Sequence, residues 1–162
     1  MREEPTREAT DVLLVCTGGG HLLQLWSLRD AWHGYERAWV VASDGADVAS
    51  LLRDERVFRA HAPAHRSLKN LVRNLHLANR LVRRLRPRVV LTTGAAVAVP
   101  FAWIARVRRI PIVYVESLAR AERPSLSCRL VAPVADRVYV QWPELRDALP
   151  RARYAGTVFT DR

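Results

Sequence analysis

Asp11-Val12-Leu13-Leu14-Val15-Cys16-Thr17-Gly18-Gly19-Gly20-His21, running on into Leu22-Leu23-Gln24-Leu25-Trp26, is the stretch from which the fold is read. An apolar run too short for a helix ends in three glycines, so Asp11 to Cys16 is expected as a buried strand and Thr17 to His21 as a tight loop. Beyond the loop the period changes. Leu22, Leu25, Trp26 and Arg29 recur at spacings of three and four, which predicts a helix over Leu22 to Trp32. Strand, glycine turn and helix in that order open an α/β unit.

The pattern repeats along the chain. Strands are predicted at Ala38–Ala42, Val57–Ala60, Val89–Thr92, Ile112–Val115 and Val138–Val140, and helices at Val48–Arg53, Ser67–Leu85, Ala95–Arg106, Ser125–Val134 and Glu144–Leu149. The longest helix, ended by Pro87, has Leu68, Leu71, Val72, Leu75, Ala78, Val82 and Leu85 as its expected apolar stripe. Strands this apolar, separated this regularly by helices, imply a Rossmann-like, doubly wound parallel sheet covered on both faces. At 162 residues the chain is one domain, expected over residues 11–162 behind a flexible polar tail at 1–10; a two-domain enzyme of about 300 residues is excluded. Ligands of such sheets bind beyond the carboxyl ends of the strands. That directs attention to the loops at Thr17–His21, Ser43–Ala46, Thr93–Ala95, Glu116–Pro124 and Gln141–Pro143.

Charge is unevenly placed. There are 26 Lys and Arg against 16 Asp and Glu, a net charge of +10. From Arg56 to Val115 there are 13 basic residues and no acidic one, while the remainder is slightly acidic. A local basic surface points to phosphates, nucleic acid or an anionic membrane. No helix-turn-helix, zinc-finger or aromatic recognition-strand signature is present, so nucleic acid is not the expected partner. The helix at Ser67–Leu85 combines an apolar stripe with Lys69, Arg73, Arg80, Arg83 and Arg84, the composition of a helix lying on anionic lipid; an ordinary core-packed helix with a solvated basic face fits equally. The longest apolar run, Ala95 to Ala105, has 11 residues and contains Pro100, short of the roughly 18 needed to span a bilayer. Cys16 and Cys128 have no metal or disulfide spacing, which suits a reducing compartment. The five histidines make no metal constellation, and neither a metal nor a cofactor is expected. His33, His61, His65 and His76 read as surface residues.

Gly18, Gly19 and Gly20 let backbone pass close to a ligand, with free N–H groups at a helix start aimed at a phosphate or sugar; a tight turn needing positive φ accounts for one glycine but less easily for three. The motif is neither a P-loop nor a dinucleotide fingerprint, since no Lys-Ser/Thr follows and Leu23 stands at the third glycine position. His21 is a candidate proton acceptor, or else a helix-start histidine bonded to backbone. Glu116, at the end of a predicted strand, is a second candidate that could orient a base or bind sugar hydroxyls, or alternatively cap the following helix or pair with Arg120.

Taken together, Gly18-Gly19-Gly20-His21, Thr93-Gly94, Ile110 to Ser117, Arg120, Ala135-Asp136-Arg137 and Val140 to Leu145 resemble the oligosaccharide biosynthesis protein Alg fourteen-like family and bacterial exopolysaccharide glycosyltransferase subunits of the PssD type. The likeness runs in order from about Val12 to Val158. More distantly, the glycine-His loop is similar to the N-terminal half of MurG-like glycosyltransferases. The resemblance implies the acceptor-side half of a GT-B glycosyltransferase, whose partner is a small UDP-sugar-binding subunit on a separate chain. It further implies transfer from a UDP-sugar to a lipid-pyrophosphate-linked acceptor, in oligosaccharide or exopolysaccharide biosynthesis, at the cytoplasmic face of the cell membrane. On that likeness His21 and Glu116 are the catalytic candidates, and Gly18, Gly19, Gly20, Thr93, Gly94 and Ser117 the acceptor-binding ones. Eukaryotic members carry an N-terminal membrane helix, absent here, so attachment is expected to be peripheral or through partners. Two alternatives stay open: a non-catalytic membrane adaptor recruiting the catalytic partner, and a free-standing nucleotide-binding Rossmann protein. The apolar tail Tyr154–Phe159 is expected either to meet a partner or to form a last strand.

Overall fold

The computed structural model describes residues 10–63 and 67–159. His65, expected at the surface, and most of the expected tail lie outside them. Thr10, assigned to that tail by sequence, is buried and belongs to the packed domain. Seven strands form one sheet: β1 (Val12–Cys16), β2 (Arg37–Val41), β3 (Val57–Arg59), β4 (Val89–Thr92), β5 (Ile112–Val115), β6 (Arg137–Val140) and β7 (Arg153–Tyr154). All neighbours pair in parallel, in the order β3-β2-β1-β4-β5-β6-β7. The chain winds outward from β1 in one direction, then returns to β4 on its other side, so the strand order reverses between β1 and β4.

Helices α1 (Gly20–Ser27) and α2 (Ala46–Leu51) pack with Leu14, Cys16, Trp39 and Val41 on one face of the sheet. Helices α3 (Leu68–Leu85), α4 (Ala98–Val107) and α5 (Leu126–Val131) cover Leu13, Val15, Val40, Val90, Ile112 and Tyr114 on the other; α6 (Leu145–Ala148) follows β6. Among the described residues no helix lies over β4 to β6 on the α1 side. There Val89, Leu91, Val113, Val115 and Tyr139 floor a groove of about 930 Å³, walled by Ser27 to Trp32 and by Ala155 to Val158. The apolar tail thus divides: Arg153–Tyr154 makes the last strand, Ala155 to Val158 runs along the groove, and Phe159 stays exposed.

Five helices depart from the sequence expectation by more than one residue at an end or in the face they bury, each for a local reason. Helix α2 runs over Ala46–Leu51 instead of Val48–Arg53, with Gly45 at its N-cap and Leu52 outside helical geometry at its end. Helix α1 stops at Ser27 and a 3₁₀ turn takes over, because the chain folds Trp32 back: its indole Nε1 donates to the Leu25 carbonyl at 3.0 Å and its ring meets Trp26 and Trp39 with centroids 5.7 and 5.3 Å away. Helix α4 begins at Ala98 instead of Ala95, since Gly94 and Ala95 both have positive φ, 101° and 64°. Helix α5 starts on its Ser125 cap as expected but ends at Val131, two residues before Pro133. In α3 the helix is where sequence put it, capped by Ser67 and terminated by Arg86 in the left-handed region. Its buried face is different. Asn70, Asn74, Leu77, Ala78, Leu81, Val82 and Leu85 face inward, so the helix is rotated by roughly a quarter turn from the expected stripe, leaving Leu68 and Val72 in solvent. The asparagines explain it. Asn74 exchanges two hydrogen bonds with the His61 backbone, at 2.8 and 3.0 Å, and Asn70 donates to the Pro63 carbonyl at 3.0 Å, so both satisfy the connection that leads into the helix.

Trp26, Trp32 and Trp39 form an aromatic cluster on the α1 face. Arg37 stacks 5.2 Å from the Trp32 ring and pairs with Glu55, which also accepts from Trp39 Nε1 at 3.1 Å. Trp32→Ala is expected to cost about 3–5 kcal/mol of unfolding free energy, read as a lowered urea midpoint.

Candidate functional site

The ends of β1 and β4 are neighbours at the point where strand order reverses, the place where open α/β sheets form their ligand crevice. His21 and Thr93 sit there and lock the two loops together. His21 Nδ1 lies 2.8 Å from the Thr93 carbonyl, and Thr93 Oγ1 donates to the His21 carbonyl at 2.8 Å. A carbonyl only accepts, so the neutral imidazole carries its proton on Nδ1 and keeps the Nε2 lone pair for another partner. Thr93 itself is fully buried, with its hydroxyl committed to that bond. It positions His21, and the expectation of a direct acceptor contact for Thr93 is corrected accordingly.

The three glycines have three different situations. A Cβ on Gly18 would stand 2.6 Å from Ser43 Oγ, so this glycine permits the β1–α1 loop to rest on the β2–α2 loop. Gly19 has φ 71°, ψ −138°, a conformation that side chains disfavour, and its N–H donates to Asp47 Oδ2 at 2.6 Å. That bond is the main reason the Asp47 carboxyl is held below its ordinary range. The chain's own carboxylate therefore takes one of the N–H groups that sequence assigned to an external anion. Gly20 is exposed, opens α1 and has open space where its Cβ would be. Of the three, it is the one that nothing in the chain's own packing requires.

Gly94 is buried under Tyr114, whose hydroxyl would lie 2.5 Å from a Cβ placed there. It serves packing, and its buried position leaves no room for the expected acceptor contact at Gly94. The Tyr114 hydroxyl sits 3.3 Å from both Ser125 Oγ and Ser127 Oγ, and burial, reinforced by the nearby Glu116, pushes its pKa up.

Glu116 is 1% exposed. One carboxylate oxygen accepts from Ser117 N at 2.7 Å and Ser125 Oγ at 3.1 Å, and the other from Ser125 N at 2.8 Å. Its backbone carbonyl accepts from Gln24 Nε2 at 3.0 Å and Gln141 Nε2 at 2.9 Å. A carboxylate so enclosed does not face the crevice, which corrects the sequence expectation of a catalytic Glu116: it organises the β5–α5 loop and holds Ser125, the cap of α5. Ser117 is half-buried at the start of that loop, its hydroxyl accepting from Ala119 N at 3.3 Å. Trp142 Nε1 pins the loop from the far side through the Leu118 carbonyl, 2.7 Å away. Arg120 and Arg123 are exposed on it. Asp47 and Gln24 escape the sequence reading; Ser125 reads there only as a helix start and Gln141 only as part of the Gln-Trp-Pro turn, neither as a partner of Glu116.

Among the described residues no group of His, Cys, Asp and Glu is arranged to hold a metal. What remains open at the crevice is the exposed glycine at the start of α1, a histidine of fixed tautomer, and a rim with two arginines. The parallel sheet with its crevice at the β1/β4 reversal is the fold of one half of a GT-B glycosyltransferase. It superposes on Acinetobacter baumannii MurG with a TM-score of 0.73 at 19% identity, covering 94% of this chain and 47% of that one. A Methanocaldococcus jannaschii UDP-GlcNAc 2-epimerase, solved with UDP-GlcNAc and UDP, gives 0.73 at 9% identity over 91% of this chain and 46% of that one.

Residues 13–158 match the model of the family described as "Oligosaccharide biosynthesis protein Alg14 like", and the chain belongs to that family. Relatives named UDP-N-acetylglucosamine transferase subunit ALG14 include those of Eremothecium gossypii, 37% identical over 79% of this chain and 61% of that protein, and of Homo sapiens, 26% identical over 94% of this chain and 84% of that protein. The Yarrowia lipolytica relative is 41% identical over 49% of this chain, which spans 40% of its length.

Two predictions separate the packing roles from the open ones. Gly18→Ala should cost about 1–3 kcal/mol through overpacking on Ser43, whereas Gly20→Ala should stay within about 0.5 kcal/mol, both by chemical denaturation. Glu116→Gln should lower stability by about 1.5–3 kcal/mol and release the β5–α5 loop, seen as faster amide exchange at Ser117 and Ser125.

Proposed function

We propose that the chain is the acceptor-side subunit of a two-chain UDP-sugar glycosyltransferase, N-acetylglucosaminyl transfer being the reaction its relatives' names point to. The observation that carries this is the His21–Thr93 lock: it holds a basic nitrogen at the reversal point of a fold that makes up under half of the single-chain MurG it superposes on. A small partner chain supplies the UDP-sugar site. The acceptor is a sugar on a lipid pyrophosphate, its diphosphate lying near the Gly20 end of the glycine loop, Ser117 and the arginines of the β5–α5 loop. The protein works at the cytoplasmic face of the membrane, attached peripherally. No helix of the described residues is long and apolar enough to cross a bilayer. Lys69, Arg73, Arg80, Arg83 and Arg84, all exposed on α3, give that attachment its charge.

In the reaction an acceptor hydroxyl oxygen attacks the anomeric carbon of the UDP-sugar. The bond from that carbon to the diphosphate oxygen breaks and UDP leaves with the electron pair. The hydroxyl proton passes to His21 Nε2, and the Nδ1–H bond to Thr93 stabilises the imidazolium formed. Glu116 is a positioning residue for the loop around the acceptor.

Reconstituting the chain with its partner, UDP-sugar and a lipid-diphosphate acceptor tests the reading. His21→Ala is expected to lower kcat about 10²–10⁴-fold with KM for the UDP-sugar little changed. Unchanged turnover would favour a non-catalytic adaptor, full transfer by the isolated chain would overturn the two-chain reading, and UDP or NAD binding by the isolated chain in calorimetry would favour a free-standing nucleotide-binding protein.

A further inference from the structure

Helices α3 and α4 both end at the amino edge of the sheet, and their last turns border a cavity of about 440 Å³. Exposed Arg83, Arg86 and Arg108 line it, beside apolar walls formed by Val82, Pro87 and Ile110. Strand β4 starts three residues after Arg86 and ends at the candidate crevice. About 13 Å of strand, at 3.3 Å per residue, therefore separates the two places.

The positive charge in this cavity is not balanced from within the chain. Residues 56–115 contain no carboxylate, and among the described residues none of the three arginines has an acidic partner. Arg108 donates instead to the neutral Asn79 Oδ1, at 2.7 Å. Neighbouring arginines are treated differently: Arg88 meets Asp11 at 3.6 Å, and the adjacent hollow lined by Arg106 and Arg109 contains Asp136. A helix C-terminus is equivalent to roughly half a negative charge, so the two ends offset about one guanidinium and leave a surplus of about two positive charges.

Arg86 also occupies a place that helix termination would give to another residue. It ends α3 with φ 45° and ψ 53°, its N–H donating to the Val82 carbonyl at 3.0 Å. Glycine is the usual residue in this left-handed position, because a Cβ is disfavoured there. What arginine adds over glycine is a guanidinium at the cavity.

We infer that this cavity binds a doubly charged phosphate group, a phosphomonoester or a diphosphate, carried on a small soluble molecule. The planar forks of Arg83, Arg86 and Arg108 take its oxygens, and Val82, Pro87 and Ile110 receive the apolar part next to it. A phosphodiester, in nucleic acid or in a lipid headgroup, carries one charge and would leave the other uncompensated. The site lies at the opposite edge of the sheet from the crevice, goes beyond the function proposed above and does not depend on it.

The test is titration of the isotope-labelled full chain with phenyl phosphate and with phenyl sulfate, followed by backbone amide resonances at a pH above the second phosphate ionisation, about 6. Phenyl phosphate should shift the Arg86, Arg108 and Ile110 amides and bind about tenfold more tightly than the singly charged sulfate. Arg86→Gly should weaken phenyl phosphate binding by about tenfold or more, with the urea midpoint unchanged or raised, since glycine accepts the left-handed conformation. Arg108→Gln leaves the end of α3 untouched and should weaken binding to a similar extent, which keeps the inference falsifiable if Arg86→Gly folds poorly. Equal affinity for the two esters would overturn it, as would shifts confined to Gly20, His21 and Ser117 at the crevice. Undiminished binding by the variants would do the same, and so would a preference for dimethyl phosphate or phosphatidylglycerol vesicles over phenyl phosphate.

Discussion

A buried carboxylate must be met by donors, and the way Glu116 is met sets the shape of the whole carboxyl edge of the sheet. Five hydrogen bonds converge on this residue from four parts of the chain: the start of its own loop, the cap of α5, Gln24 on α1 and Gln141 beyond β6. Gln24 then accepts from Leu118 N and Gln141 from Val158 N, which extends the network to the loop and the tail. Removing any one of these partners leaves another buried polar group unsatisfied. The polar groups under the crevice are therefore held as a set, by mutual dependence more than by apolar packing.

The same economy governs the glycine loop. Its backbone lies against the β2–α2 loop at Gly18, bends through Gly19, and has Asp47 as an internal counter-group. The loop is rigid before any ligand arrives. His21 inherits that rigidity, since its helix starts on the loop and its ring is held by Thr93 on the neighbouring strand end. An imidazole held between two loops of different strands keeps its orientation without support from any ligand.

Most of this architecture could be read from local pattern. The strands, the helix caps at Ser67 and Ser125 and the loops that carry the site are encoded within a few residues of where they act, in apolar runs, capping hydroxyls and glycines. What could not be read depends on contacts between distant positions. Asp47 binds Gly19 across 28 positions and Gln24 reaches Glu116 across 92, and neither residue has a neighbour that announces the partner. Helix α3 shows the same limit in its rotation: periodicity located the helix, but leucine counts could not foresee that Asn70 and Asn74 would turn inward to serve the backbone at Pro63 and His61. Glu116 and Thr93 were found by position and then assigned to the crevice, because sequence gives the end of a strand but not the direction its side chains face.

The groove over β4 to β6 has a consequence for the chain's abundance. A parallel sheet gains its stability from cover on both faces, and here Val89, Leu91, Val113, Val115 and Tyr139 lack a helix above them. Part of the folding free energy is thus left to be realised by mass action: any polypeptide that lies in the groove shifts the chain toward its native state in proportion to the logarithm of its own concentration. A polypeptide that covered the groove would therefore lengthen the chain's proteolytic lifetime.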